Sequence, residues 1–178
     1  MTDLTLSESS FSAIINLPIE QIDIAEWLFT LPEAEYQRCC PPDHIASGIT
    51  WTDDGRRMSI NVETIGTALV VQHYIGEITE PHLCRMVSQS DVITANGRTK
   101  TEVIWELSVR KIDDNSCEYT NFVHANATEH FLAFIEAHGQ TLEQAKAARQ
   151  QASGDHNSRE TPLFAASIER RARARAKA

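Results

Sequence analysis

The chain has 178 residues, 42% of them hydrophobic, and a formal net charge of −9 at pH 7, which fits one acidic domain around a single core. This acidity excludes nucleic acid as a partner of the body, and no apolar run approaches the roughly 18 residues of a membrane span. The start carries no secretion signal, so we expect a cytoplasmic protein without stable membrane insertion. Cys39, Cys40, Cys84 and Cys117 lack CxxC spacing and are expected to be reduced.

The N-terminal part predicts one strand and two short helices. Apolar and polar residues alternate from Phe11 to Ile15, which predicts a strand that ends at Pro18. Apolar residues at helical spacing follow in residues 24–31, and a second short helix is expected in residues 33–40. Both helices are followed by proline, which cannot continue a helix.

Residues 44–125 change to a period of two and predict six antiparallel strands. Residues 54–55, 66–67 and 96–97 suit two-residue hairpin turns. These turns set the register, and we reject a three-residue turn at 53–55 because it would turn Thr50 to the apolar face. The predicted pairs are Trp51 with Met58, Ile49 with Ile60, Ile60 with His73, Val62 with Val71, His73 with Ser88, Ile75 with Met86, Ser88 with Trp105, Met86 with Leu107, Leu107 with Phe122 and Trp105 with His124.

One face of all six strands is then mainly apolar, as in an antiparallel sheet with one wet side. The predicted inner face carries Ile45, Ile49, Trp51, Met58, Ile60, Val62, Leu69, Val71, Ile75, Met86, Val92, Val103, Trp105, Leu107, Val109 and Phe122. The predicted outer face carries Arg57, Glu63, Gln72, Arg85, Gln89, Asp91, Glu102, Glu106 and Arg110.

Residues 126–152 predict a long helix across this inner face. Asn126 and Glu129 form a capping-box-like pair, and Phe131, Ile135 and His138 continue an apolar stripe to Leu142. Gly139 and the cap pattern at Thr141 allow a kink or restart. A polar linker is expected at 154–159, followed by a peripheral helix that begins at Thr161 and Pro162. This divides the chain into a domain at 1–153 and a C-terminal extension at 154–178.

The extension is basic, with a net charge of +4 over residues 159–178 against −13 for the rest. Such a segment can bind RNA or an anionic membrane. It can equally lie against its own acidic body or remain mobile in solvent.

Several segments together resemble the START-like helix-grip superfamily, also called SRPBCC, which includes polyketide cyclases and lipid-transfer proteins. They are Phe11-Ser-Ala-Ile-Ile-Asn-Leu-Pro18, Ile24-Ala-Glu-Trp-Leu-Phe29, Tyr36 ahead of the prolines, and the order of the later elements over residues 11–152. The resemblance implies an α+β fold, in which a seven-stranded curved antiparallel sheet wraps around a long C-terminal helix. It also implies that the first strand pairs with the last and that an apolar cavity lies between sheet and helix.

The predicted register turns His73 and His124 inward, about 14 Å apart along the sheet, which is too far for a shared metal. Each can bind a ligand or act as a general acid or base, or it can be a neutral core histidine. The expected ligand-binding residues are Met58, Ile60, His73, Met86, Ser88, Trp105, Phe122, His124, Phe131, Ile135 and His138.

Three functions follow as hypotheses. The first is binding of a small hydrophobic molecule, such as a lipid or polyketide, in the internal cavity. The second is a cyclase or dehydratase with His73 or His124 as the catalytic acid or base. The third is a protein-interaction module or homodimer that uses the extension through Leu163, Phe164 and Ile168.

No cofactor and no metal are predicted. Cys39 and Cys40 with His44, and His82 with Cys84, lack the spacing of a zinc finger or ribbon. The chain has no GxSxG, GxGxxG or P-loop pattern, which removes the main cues for hydrolase, dinucleotide or nucleotide chemistry.

Overall fold

The structure, a computed structural model, describes residues 3–176 and contains one seven-stranded antiparallel sheet. The strand order is β1-β7-β6-β5-β4-β3-β2, so the first strand pairs with the last, as predicted. The strands are β1 Thr5–Ile15, β2 His44–Trp51, β3 Arg57–Ile65, β4 Ala68–Glu80, β5 Leu83–Thr94, β6 Gly97–Lys111 and β7 Cys117–Ala127. The predicted α+β helix-grip architecture is confirmed.

Four α-helices accompany the sheet: α1 Ile24–Leu28, α2 Glu33–Arg38, α3 Glu129–Ala137 and α4 Leu142–Arg175. Thr128, rather than Asn126, caps α3, and its hydroxyl accepts from the backbone of Phe131. Gly139 adopts a φ of +66° after α3, a left-handed conformation that glycine takes without strain. Thr141 then caps α4 through a complete capping box. The predicted continuous helix over 126–152 is therefore broken, at the position where the sequence allowed a restart.

Helix α4 is a single helix of 34 residues. The predicted polar linker at 154–159 and the new helix start at Thr161 are wrong, because α4 passes through both, with Pro162 inside it. The Thr161 hydroxyl instead donates to the carbonyl of Asn157, 2.6 Å away. The second half of α4 packs against the sheet and is not peripheral. Its buried residues are Ser153, His156, Asn157, Glu160, Thr161, Phe164, Ala165, Ser167, Ile168 and Ala172.

The turn between β2 and β3 corrects the predicted register. The amide of Thr52 donates to the carbonyl of Arg56 at 2.9 Å, and Gly55 has a φ of +83°. This is the three-residue turn that the sequence analysis rejected, and it pairs Thr50 with Met58. The pairing of β3 with β4 is as predicted, with Ile60 opposite His73.

The remaining ladders differ by one or two residues from the prediction. Ile75 pairs with Val87 instead of Met86, and Trp105 pairs with Val123 instead of His124, which are one-residue shifts. Met86 pairs with Trp105, a shift of two that keeps the predicted face. Side chains alternate between the two faces of a strand. Each one-residue error in a pairing therefore exchanges the predicted inner and outer residues for the strands on one side of that pairing.

The inner face is therefore apolar on β5 and β6 but polar on β3. As predicted, Met86, Val92, Val103, Trp105, Leu107 and Val109 are buried. Glu63 and Gln72, expected outside, are buried at 5% and 3% exposure. The residues that were expected inside but lie on the outer face are Met58, Ile60, Val62, Leu69, Val71, His73, Ile75, Phe122 and His124. Ile49 and Trp51 lie on the inner face, opposite Ser59 and Arg57, but both are exposed. Ile45, at an irregularity of β2, is also exposed.

The basic C-terminal residues lie against the acidic body of the protein. Arg170 forms an ion pair with Glu35, and Arg175 lies 3.3 Å from Glu26. Of the hypotheses for this segment, the structure supports contact with the protein's own surface. No helix within residues 3–176 is long and apolar enough to cross a membrane.

The labelling rate of the Cys84 thiol can show which face of β5 is inside. The Cys84 side chain is fully buried, and burial raises the pKa of its thiol to about 12. At pH 8 we expect about one thiolate in ten thousand, so iodoacetamide should label Cys84 at least 100-fold more slowly in the folded protein than in urea. Labelling followed by peptide mass spectrometry measures this ratio. Equal rates in both states would show that β5 turns its other face inward.

Candidate functional site

The space between the sheet and α4 is small and polar. A cavity of about 20 Å³ lies there, which is room for about one water molecule. This differs from the apolar cavity that the resemblance implied. Its lining residues are Tyr36, Asn61, Glu63, Ile65, Gln72, Tyr74, Val103, Trp105, Val123, Arg149, Ser153, Asn157, Glu160 and Phe164.

Four ionisable side chains meet beside this cavity, and we call them the His–Glu cluster: His44 from β2, Glu63 from β3, and His156 and Glu160 from α4. The Nε2 atom of His44 lies 3.4 Å from Oε2 of Glu63 and 3.2 Å from Oε2 of Glu160. The Nε2 atom of His156 lies 3.5 Å from each of the same two oxygens. All four residues are at most 5% exposed.

Each imidazole of the cluster is held by its other nitrogen. Nδ1 of His44 lies 2.7 Å from the carbonyl oxygen of Tyr36, and Nδ1 of His156 lies 2.9 Å from a carboxylate oxygen of Asp43. Carbonyl and carboxylate oxygens only accept, so both Nδ1 atoms carry the proton. The Nε2 atoms, which face the carboxylates, are then the ring positions left without a proton in the neutral form.

The two carboxylates are held in the same way. The hydroxyl of Tyr36 donates to Glu63 at 2.8 Å, and the side-chain amide of Asn121 donates to Glu160 at 2.9 Å. Asn121 is in turn fixed by Trp105, whose indole N–H donates to it at 2.8 Å. The cluster therefore has a defined second layer of hydrogen bonds, which limits how its four side chains can rotate.

The charges in the cluster depend on one another. Burial alone would raise the pKa values of Glu63 and Glu160, but the neighbouring His156 and His44 hold both below their ordinary range. Burial lowers the pKa of His156, and the two carboxylates more than reverse this and raise it. Burial also raises the pKa of Tyr36 well above its ordinary value, so its phenol stays protonated and can donate to Glu63. The cluster thus favours positive charge between two carboxylates.

A larger pocket opens at one end of the sheet, where the β3–β4 and β5–β6 turns approach α3 and α4. We call it the mouth pocket. Its volume is about 540 Å³, within the range of small-molecule sites. Ile65 and Arg149 line both this pocket and the inner cavity. The lining residues are Leu6, Ile65, Gly66, Thr67, Ala68, Val92, Thr94, Thr101, Phe131, Gln140, Ala145, Ala148, Arg149, Gln151, Ala152 and Asp155.

Two polar atoms of the mouth pocket are buried without a partner. They are Nε of Arg149 and the hydroxyl oxygen of Thr101, neither of which has a hydrogen bond to any part of the chain that the structure describes. Burial lowers the pKa of Arg149, while Tyr74 and Glu63 oppose this shift. Buried polar atoms are nearly always hydrogen-bonded. Two such atoms in one pocket indicate that a ligand or a water molecule supplies the missing hydrogen bonds.

The structure does not bring the predicted site residues together. His73 and His124 lie on the outer face, where His124 contacts Glu8 at 3.0 Å and Asn126 at 2.9 Å. Of the other predicted residues, Met58, Ile60 and Phe122 also face outward, and Met86, Ser88 and Trp105 face inward. On α3 and its C-terminal cap, Phe131 lines the mouth pocket, Ile135 is buried and His138 is exposed.

Sequence reasoning missed the residues that carry the chemistry of this interior. His156 and Glu160 stand four positions apart, a spacing that places two side chains on one face of a helix. This signal was present but was assigned to a linker. Glu63 was assigned to the wrong face by the one-residue error in the pairing of β4 with β5, which reverses β3 and β4 together.

No protein-family model matches the sequence, and no curated protein matches it significantly. Several solved structures resemble the fold. The Zhui aromatase/cyclase from Streptomyces sp. R1128 superposes with a TM-score of 0.64 at 10% identity, over 96% of each chain. The di-domain ARO/CYC StfQ of the steffimycin biosynthetic pathway has a TM-score of 0.62 at 12% identity, over 96% of this chain and 53% of its own.

A protein from Thermus thermophilus has a TM-score of 0.52 at 12% identity, over 94% of this chain and 98% of its own. At such identities the likeness concerns the fold and not the activity. The strand order, the helices after β1 and the long C-terminal helix are those of a helix-grip fold. The protein therefore has the helix-grip fold.

Proposed function

We propose that the protein binds a small, mainly apolar molecule with an anionic head group in the mouth pocket. The observation that carries this proposal is the unpartnered Nε of Arg149 in the lining of a pocket that also has apolar wall residues. Leu6, Val92 and Phe131 supply apolar surface for the body of a ligand. A carboxylate or enolate on the ligand would accept hydrogen bonds from Arg149 and Thr101.

The proposal moves the binding site from the inner cavity to the mouth. The inner cavity of about 20 Å³ has no room for a lipid or polyketide, whereas the mouth pocket of about 540 Å³ has. Similarity to aromatase/cyclases supports binding of a small organic molecule by this fold. A ligand in the mouth would lie next to the inner cavity, because Arg149 borders both.

The other two hypotheses receive less support. A cyclase that uses His73 or His124 requires one of them at the wall of a cavity between sheet and helix, and both lie on the outer face. A partner contact through the end of α4 requires exposed apolar residues there. Of the three residues named for this contact, Phe164 and Ile168 are buried within the chain at 0% and 2% exposure, and Leu163 is 39% exposed.

The ligand proposal predicts a charge-dependent affinity. A fluorescent polyene fatty acid should bind more tightly than its methyl ester, and Arg149→Met should weaken binding of the acid by roughly 10- to 100-fold, since a buried charge-assisted hydrogen bond is lost. Fluorescence titration measures both affinities.

Lys146→Met provides the matched control, since Lys146 lies on the same helix and pairs with Asp3 outside the mouth pocket. It should leave the affinity for the acid unchanged. Equal binding of acid and ester, or equal losses in the two variants, would contradict the role of Arg149.

A further inference from the structure

Two carboxylate oxygens and two imidazole nitrogens converge in the His–Glu cluster. When both rings are neutral and carry their proton on Nδ1, all four atoms present a lone pair. His156 is 2% exposed. Its Nε2 atom makes no hydrogen bond with any described residue, although both carboxylates lie 3.5 Å away. Converging lone pairs repel one another unless a positive charge lies between them.

We propose that His44, Glu63, His156 and Glu160 bind one divalent transition-metal ion, with zinc as the best match. This site is separate from the mouth pocket, and it does not depend on the proposed function. Two imidazoles and two carboxylates neutralise a divalent ion and are donors that zinc accepts. The four protein donors leave no open position, which is typical of a structural site and not of a catalytic one.

The four distances between nitrogen and oxygen donors fit this donor set. A tetrahedral zinc ion with its ligands at about 2.0–2.1 Å keeps neighbouring ligand atoms roughly 3.4 Å apart. The four distances between imidazole nitrogens and carboxylate oxygens are 3.2, 3.4, 3.5 and 3.5 Å. The contact of His44 with Glu160 at 3.2 Å is also within hydrogen-bond range. The other three are longer than the roughly 2.7–2.9 Å of a direct hydrogen bond between charged groups. All four distances are close to those expected around a common ion.

The second layer of hydrogen bonds is also that of a metal site. Metal-binding histidines usually donate their other ring N–H to a carbonyl or carboxylate, which fixes the ring. His44 does so to Tyr36, and His156 to Asp43. The ligating carboxylates are also held, Glu63 by Tyr36 and Glu160 by Asn121.

Cys40 lies close but is not part of the proposed site. Cys40, His44 and His156 can each bring one donor atom within 4.8 Å of the others. However, Sγ of Cys40 faces Nδ1 of His156 at 3.7 Å, and that nitrogen already contacts Asp43 at 2.9 Å. A metal on the Cys40 side would have to break this contact, whereas the Glu63 side requires no such change.

The test is metal binding by the full chain after treatment with a chelator. We expect one Zn²⁺ or Co²⁺ per chain by isothermal titration and metal analysis. Co²⁺ should give visible absorption without the near-ultraviolet band of a cobalt–thiolate bond. At a thousandfold excess over Kd, Zn²⁺ should raise Tm by roughly 10 °C.

Variants assign the donors. Glu63→Gln should weaken Co²⁺ binding by roughly 100-fold or more, and Tyr36→Phe, which keeps all four donors but removes the hydrogen bond to Glu63, by about 10- to 100-fold. His138→Gln, at an exposed histidine, and Cys40→Ser should leave the affinity unchanged.

Two results would overturn the proposal. A folded wild-type chain that binds neither Zn²⁺ nor Co²⁺ at micromolar concentration would show that protons alone bridge the cluster. A thiolate band that disappears in Cys40→Ser would assign the ion to Cys40 instead. If Glu63→Gln does not fold, the wild-type spectrum, the stoichiometry and Tyr36→Phe still decide.

Discussion

Removal of residues 154–178 is expected to abolish cooperative folding. The sequence marks this segment as an extension, but in the structure it provides the second half of α4, including Phe164, Ala165 and Ile168, each at most 2% exposed. Phe164 lies with its ring centroid 5.2 Å from that of Trp27 and 5.9 Å from that of Trp105. Loss of a single such aromatic side chain costs about 3–5 kcal/mol, and a domain is stable by only about 5–15 kcal/mol.

The measurement is urea unfolding followed by circular dichroism and tryptophan fluorescence. The shortened chain should show no sigmoidal transition, while a chain shortened only by residues 174–178 should unfold as the full chain does. That smaller deletion removes the exposed ion pair of Arg175 with Glu26, and such pairs contribute at most about 1 kcal/mol. A cooperative transition in the chain that ends at 153 would instead establish 1–153 as a separate domain.

The strands and their order could be predicted because local signals were strong. Gly55, Gly66 and Gly97 all have positive φ at or beside turns, where glycine is favoured, and the apolar alternation of β5 and β6 points to the core. A hairpin meander then leaves little freedom in topology. The first strand and the final helix were placed by resemblance to a known fold, and the sheet confirms the position of β1 beside β7.

The interior could not be predicted because it breaks the rule on which the register was chosen. The rule assigns the apolar face of a strand to the core. On β3 the inner face carries Ser59, Asn61 and Glu63, while Met58 and Ile60 lie outside. The correct three-residue turn at 53–55 was rejected because it pairs Thr50 with Met58, which was taken to face the core, whereas both lie on the outer face. Trp51 lies on the inner face opposite Arg57, as predicted, but it is 62% exposed because β2 is an edge strand.

The polar character of its buried side also made α4 difficult to recognise from the sequence. The buried side of α4 carries Ser153, His156, Asn157 and Glu160 at helical spacing, so no apolar stripe was visible until Phe164. Gly154 and Pro162 also suggested breaks. Sequences depart from local folding rules mainly where a site requires it. These errors meet at one place, since the polar side of β3 faces the polar side of α4 across the His–Glu cluster.

This convergence leads to the second large effect: Glu160→Ala should destabilise the metal-free protein by about 3–5 kcal/mol, because the remaining buried charge and donors lose their partner. His44 and His156 would each lose a carboxylate within 3.5 Å, and Asn121 would lose its acceptor at 2.9 Å. Thermal unfolding in the presence of a chelator should show a Tm lower by roughly 6–20 °C.

Asp155→Ala separates this effect from a general loss of helix charge. Asp155 is on the same helix, its side chain is 69% exposed, and it pairs with Arg159 four positions later. Such an exposed pair contributes about 0.3–0.5 kcal/mol, so Tm should change by no more than about 2 °C. Equal losses in the two variants would mean that Glu160 is solvated. The polar faces of β3 and α4 would then not meet, and the proposed metal site would lose half of its carboxylate ligands.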